Sequence, residues 1–118
     1  MMRPTAEDPR EALRWAANVI RRNGWTRHAF VRKDGERCIL GALRLCTKPM
    51  SQDNVRLRAQ IMIAAELRRR GFSLADIAND SQLGLIPSWN DFHAKDATEV
   101  IDVLEAAARV QDPAEDQS

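Results

Sequence analysis

The chain has no tyrosine, three lysines and two cysteines, and each shortage excludes something. Cys38 and Cys46 are too few for the disulfide framework of a small secreted domain, so both thiols are expected free in a reducing compartment. They stand eight residues apart, and His28 and His93 lie far apart in the sequence. Tetrahedral zinc sites draw on closely spaced pairs, so no metal site is expected. The apolar run at residues 60–65 includes Gln60 and falls far short of the roughly 20 residues a membrane span needs. The opening stretch is polar and interrupted by Pro4 and Pro9, unlike a secretory leader, and a cytoplasmic location is expected. Glycine-rich phosphate loops, His-Glu-x-x-His and a serine flanked by glycines are all missing. No cofactor is expected, and catalysis has little support.

What is present is ordinary globular composition, 44% hydrophobic and 30% charged, which places the chain among folding sequences and not disordered ones. Its 118 residues suit one core. Residues 1–8 are expected to be a flexible start, 9–110 a single globular domain and 111–118 an acidic disordered tail.

Helix signals are frequent. Asp8-Pro9-Arg10-Glu11 sets an acidic cap before a proline, with a glutamate three residues past the cap. Leu13, Ala16, Ala17 and Ile20 follow as one apolar stripe, widened by Trp15 and Val19 and closed by Gly24. The longest predicted helix covers residues 52–70, with Leu57, Ile61, Ala64 and Ala65 along one face. Val55, Met62 and Ile63 make it apolar over more than half its circumference, as in a central, buried helix. A shorter helix is expected over residues 73–79. Asp96-Ala97-Thr98-Glu99 resembles a further capping box, opening a last helix to about residue 110 on a stripe of Val100, Ile101, Leu104, Ala107 and Ala108.

Between Trp25 and Leu45 the period changes. His28-Ala29-Phe30-Val31-Arg32 and Arg37-Cys38-Ile39-Leu40 flank Asp34-Gly35, a strong hairpin signal. A small two-stranded hairpin is predicted, followed by a short helix from about Gly41 to Thr47. Gly84 and Pro87 predict irregular structure over residues 81–91. The expected class is thus α+β, mostly α: four or five helices with one small β-hairpin.

Charge is divided along the chain. Up to Phe72 there are 16 basic and 7 acidic residues, a formal +9; from Ser73 onward there are 2 and 10, a formal −8. Such asymmetry hints at an anionic partner for the basic part, with Arg21, Arg22, Arg56, Arg58, Arg68, Arg69 and Arg70 as the candidate nucleic-acid contacts. The opposite reading is internal neutralisation, or self-association by charge complementarity into a homo-oligomer. A GC-rich genome would also produce 15 arginines against Lys33, Lys48 and Lys95. A helix-turn-helix over residues 57–92 is disfavoured, because its recognition segment, residues 86–93, holds Pro87 and Asp91 but no lysine or arginine.

The most distinctive stretch is Ile86-Pro87-Ser88-Trp89-Asn90-Asp91. Structurally, Trp89 would plug the core while Asn90 and Asp91 bond loop amides. Functionally, an indole rimmed by polar groups is the profile of an interface anchor, which makes Trp89, Asn90 and Asp91 the candidate partner-binding residues. Cys38 and Cys46 are read as core thiols, although a Cys-His nucleophile assembled in space stays open. Asp76 and Asp80, four apart, are explained equally well by capping and solvation.

Asn23-Gly24-Trp25-Thr26, Gly35 with Cys38-Ile39-Leu40-Gly41-Ala42-Leu43, and Ile86 with Trp89-Asn90-Asp91 and Ala97-Thr98-Glu99-Val100 together resemble a family of small uncharacterised actinobacterial and actinophage proteins. The similarity runs from about Pro9 to Val110. The family brings no activity with it, so the resemblance implies at most a cytosolic or phage-encoded accessory protein.

Three functions follow in order. The first is a non-enzymatic interaction module for a protein partner, with no membrane role; the second is a nucleic-acid binder working through its arginines; the third is an enzyme.

Overall fold

The computed structural model describes residues 8–47, 53–72 and 82–109. Five helices form there: α1 (Pro9–Asn23), α2 (Ile39–Cys46), α3 (Asp53–Arg69), α4 (Gln82–Phe92) and α5 (Ala97–Arg109). α5 lies against α1 and α3, α1 also packs on α2 and α3, and α4 closes the bundle against α3 and α2.

The local chemistry of α1 is the one its sequence dictates. Asp8 takes an extended backbone and accepts from the Arg10 amide at 2.7 Å, while Pro9 occupies the position whose N–H would otherwise be orphaned. Gly24 ends the helix at φ 96°, a conformation that side-chain-bearing residues rarely adopt. Ala12, Leu13, Ala16, Ala17 and Ile20 are buried, and the small residues let α5 approach closely. At α5, Asp96 accepts from the Glu99 amide at 2.9 Å, and Glu99 reaches back to the Lys95 amide at 2.8 Å, close to the expected capping box. Val100, Val103, Leu104, Ala106, Ala107 and Ala108 turn inward.

The hairpin is absent, and the described residues are all-α with no strand; the α+β expectation is corrected. Only isolated bridges join Trp25 and Val31 to Arg37. The Asp-Gly turn itself forms, with Gly35 at φ 94° and its N–H on the Arg32 carbonyl at 2.9 Å. Its second arm cannot extend, because Cys38 caps α2: its sulfur accepts from the Gly41 amide at 3.3 Å, and Ile39 and Leu40 become the first helical turn. The first arm bends at His28, which adopts φ 65°.

The expectation of irregular structure is corrected for residues 82–91 as well. α4 is a helix with Pro87 inside it. Proline removes one backbone donor there, a loss offset by burial of Leu85, Ile86 and Trp89. α3 forms close to where it is expected, but its buried face is Ala59, Met62, Ile63, Ala64, Glu66 and Leu67, leaving Leu57 and Ile61 exposed. The expected helix at 73–79, Asp76 and Asp80, and the expected tail at 111–118 lie outside the described residues.

Candidate functional site

The chain between α1 and α2 folds back over α4, and one side chain fastens the two. Asn90, 1% exposed, accepts at Oδ1 from the Trp25 indole N–H at 2.9 Å and from the Ile39 amide at 3.2 Å. Its Nδ2 donates to the Thr26 carbonyl at 3.2 Å and to Asp91 Oδ1 at 2.9 Å. A primary amide suits this position because it both accepts and donates, and a buried loop presents both kinds of backbone group. Asp91 extends the clamp: its Oδ1 also accepts from the His28 amide at 2.8 Å, and its Oδ2 lies 3.6 Å from His28 Nδ1. The positive φ of His28 is thus held from α4, and its ring packs edge-on against Phe92, 5.2 Å between centroids.

Between loop and helix lies an open cleft of about 390 Å³. His28, Ala29 and Phe30 line it from the loop, Cys38 and Leu40 from the start of α2, and Ile86, Pro87, Asn90 and Asp91 from α4. Phe30, which lines the cleft, is 48% exposed; its chain neighbour Val31 and Phe92, which packs on the lining residue His28, are also large apolar side chains facing solvent, at 47% and 71%. Arg44 lies over the Phe30 ring, 4.3 Å from its centroid, and Arg27 over Trp25 at 4.5 Å while donating to the Ala94 carbonyl. Gly41 makes the geometry feasible, since a Cβ there would sit 1.9 Å from the Phe30 carbonyl oxygen. The loop therefore rides directly on the α2 backbone.

Of the Trp-Asn-Asp motif, Trp89 is 6% exposed and belongs to the core behind the cleft, whereas Asn90 and Asp91 form part of its wall. Cys38 brings a thiol to the cleft, but burial pushes its pKa up and outweighs the opposing backbone N–H groups of Gly41 and Leu40. A protonated thiol is a poor nucleophile. Both cysteines are buried, and neither is in a disulfide.

A family model described as a family of unknown function, DUF6197, matches residues 4–110. The chain belongs to that family. Comparisons with curated proteins and with solved structures find no match.

Of the candidate arginines of this DUF6197 chain, which lie on α1 and along α3 to its end, three pair with carboxylates of the same chain while staying partly open to solvent. Arg21 meets Glu105 of α5 at 2.5 Å, and Arg69 and Arg70 each meet Glu66 at 2.6 Å. Arg70 also reaches Asp102 of α5 at 2.9 Å. Arg56 donates to Thr47 Oγ1 at 3.5 Å, Arg58 is half-buried, and Arg22 and Arg68 are exposed. Basic helices thus meet the acidic C-terminal helix inside one fold. The Glu66 side chain is fully buried; burial raises its pKa, and the hydrogen bonds from Arg69 and Arg70 more than reverse this, leaving it below the ordinary value. No helix among the described residues is long and apolar enough to cross a membrane.

The sequence missed Phe30, His28, Leu40, Pro87 and Arg44 as site residues. The motif on α4 was visible, but its counterparts lie about 40 to 60 positions away. The hairpin expectation also assigned His28 and Phe30 to a strand.

Proposed function

We propose that the chain is a cytoplasmic, non-enzymatic protein–protein interaction module, an accessory or phage-encoded factor, whose partner docks on the cleft between the 25–38 loop and α4. One observation carries this reading. A preformed concavity with largely apolar walls carries the exposed Phe30 in its lining and the exposed Phe92 packed on its lining residue His28, and its wall is held by the hydrogen bonds of Asn90. Soluble proteins rarely leave large apolar side chains clustered around a rigid concavity unless something covers them. Trp89 contributes from behind, as packing for this part of α4; Asn90, 1% exposed, holds the wall in place, and the partly exposed Asp91 faces the partner. The arginine-based alternative draws less support, because Arg21, Arg69 and Arg70 already serve carboxylates of the same chain. Catalysis through Cys38 is weakened by its raised pKa.

The test is capture from nuclease-treated cell extract with the wild-type chain and with Phe30→Asp, a change at an exposed position that leaves the core intact. A partner retained by wild type, resistant to nuclease and lost with Phe30→Asp is expected. Identical capture by both proteins, or a partner that vanishes on nuclease treatment, would refute the proposal.

A further inference from the structure

We infer that the cleft takes an acidic segment of its partner protein, one apolar side chain entering against Phe30, Leu40 and Pro87 while a neighbouring carboxylate of the segment settles on Arg44. This rests on the interaction reading above and supplies its chemistry.

The stacked pair at the lip is the first support. Arg44 is exposed, and its guanidinium lies 4.3 Å over the Phe30 ring. Among the described residues no carboxylate pairs with it, whereas Arg21, Arg69 and Arg70 each have one. An arginine laid on an aromatic face keeps its donor edges open while its rotamers are restricted, so a carboxylate meets a fork already oriented. Phe30 then serves two contacts, one face toward Arg44 and the remainder toward the apolar cleft.

Local charge is the second. The segments that build the walls, residues 25–46 and 82–95, carry six lysines and arginines against three aspartates and glutamates, a surplus of three where the whole chain has +1. Arg32 adds to this field, since its hydrogen bonds run to Thr26 and the Arg27 carbonyl and to no carboxylate. Asp91 fixes the orientation. Its carboxylate stands on the α4 wall beside His28, so an incoming acidic group is repelled there and drawn toward the α2 side, where Arg44 lies. The same Asp91, with apolar Phe30 and Phe92, opposes a phosphate backbone running through the mouth.

The experiment is fluorescence anisotropy with three sets of short synthetic peptides, each carrying a central Leu, Phe or Trp flanked by Asp/Glu, Lys/Arg or Ser/Gly. A labelled single-stranded oligonucleotide is titrated alongside. Acidic-flanked peptides are expected to bind about tenfold or more tighter than basic-flanked ones, with the difference shrinking as salt rises. Arg44→Gln should erase that difference, and Arg44→Glu should invert it. Phe30→Ser should weaken every peptide that binds. Equal binding of the sets, or indifference to Arg44→Glu, overturns the inference. If neutral or basic peptides bind and Phe30→Ser still weakens them, the interaction reading survives without the acidic partner. Binding of no peptide, or tighter binding of the oligonucleotide, overturns both.

Discussion

Asn90→Ala should unfasten the 25–38 loop from α4, and its magnitude can be worked from the contacts. The substitution orphans the Ile39 amide, which is fully buried, the indole N–H of half-buried Trp25 and the Thr26 carbonyl. A buried group left unpaired costs about 1–3 kcal/mol, and one that water can reach costs less. Taking about 2 kcal/mol for Ile39 and about 1 kcal/mol for each of the others gives roughly 4 kcal/mol. The better helix propensity of alanine returns roughly half a kcal/mol, so about 3–4 kcal/mol is expected, a large share of the roughly 5–15 kcal/mol that stabilises a domain. Urea unfolding followed by tryptophan fluorescence and by far-ultraviolet circular dichroism measures it. Combined with Trp25→Phe, which removes the indole donor alone, the double-mutant cycle should return a coupling of about 1 kcal/mol. Amide exchange within residues 25–38 should rise more than in α1 or α5. A loss below about 1 kcal/mol, or no coupling to Trp25, would show that Asn90 is not the fastener.

Gly41→Ala sets two effects against each other: alanine favours the helix by roughly 1 kcal/mol, but its Cβ would lie 1.9 Å from the Phe30 carbonyl oxygen. The clash should win, with a net loss of about 1–3 kcal/mol in the same unfolding assay; a stabilised variant would mean the loop does not rest on α2. Glu66 has a folded-state pKa below its unfolded value, so its contribution is present above the ordinary glutamate value near about 4.3 and disappears as pH falls through the depressed value. Glu66→Gln should therefore flatten the stability-against-pH curve on that acid limb, as read by unfolding midpoints. For nucleic acid, anisotropy at two salt concentrations should give affinity no tighter than the roughly 10⁻⁴ to 10⁻⁶ M of non-specific contacts at physiological salt. Submicromolar binding with a steep salt slope would restore the arginine reading.

The sequence was most legible where a helix carried its own punctuation. Asp8, Pro9 and Gly24 bound α1, and Asp96 with Glu99 opens α5, because capping depends on neighbours within a turn. α3 shows where that fails: apolar over most of its girth, it offered no unique phase. The core chose Met62, Ile63 and Leu67, with Glu66 neutralised by arginines, over Leu57 and Ile61. The hairpin failed because its second arm was taken by a helix whose cap is a cysteine, not one of the usual Ser, Thr, Asp or Asn caps. α4 was hidden by Gly84 and Pro87, whose local penalties were overridden by tertiary burial of Leu85, Ile86 and Trp89. For the site, Trp89, Asn90 and Asp91 stood out, but what they face is set by chain folding and by hydrogen bonds spanning some sixty positions. No local pattern encodes those contacts.

Site-specific photo-crosslinking tests most directly whether the cleft is the docking surface. A benzophenone amino acid is placed in turn at Phe30 in the cleft lining, at Phe92 beside His28, and at Leu57, a solvent-facing apolar position on α3. Irradiation in cells should give a discrete protein adduct from Phe30 and Phe92 and none from Leu57, and Arg44→Glu should suppress it. Adducts confined to Leu57, or a nuclease-sensitive adduct at any of the three, would contradict the account.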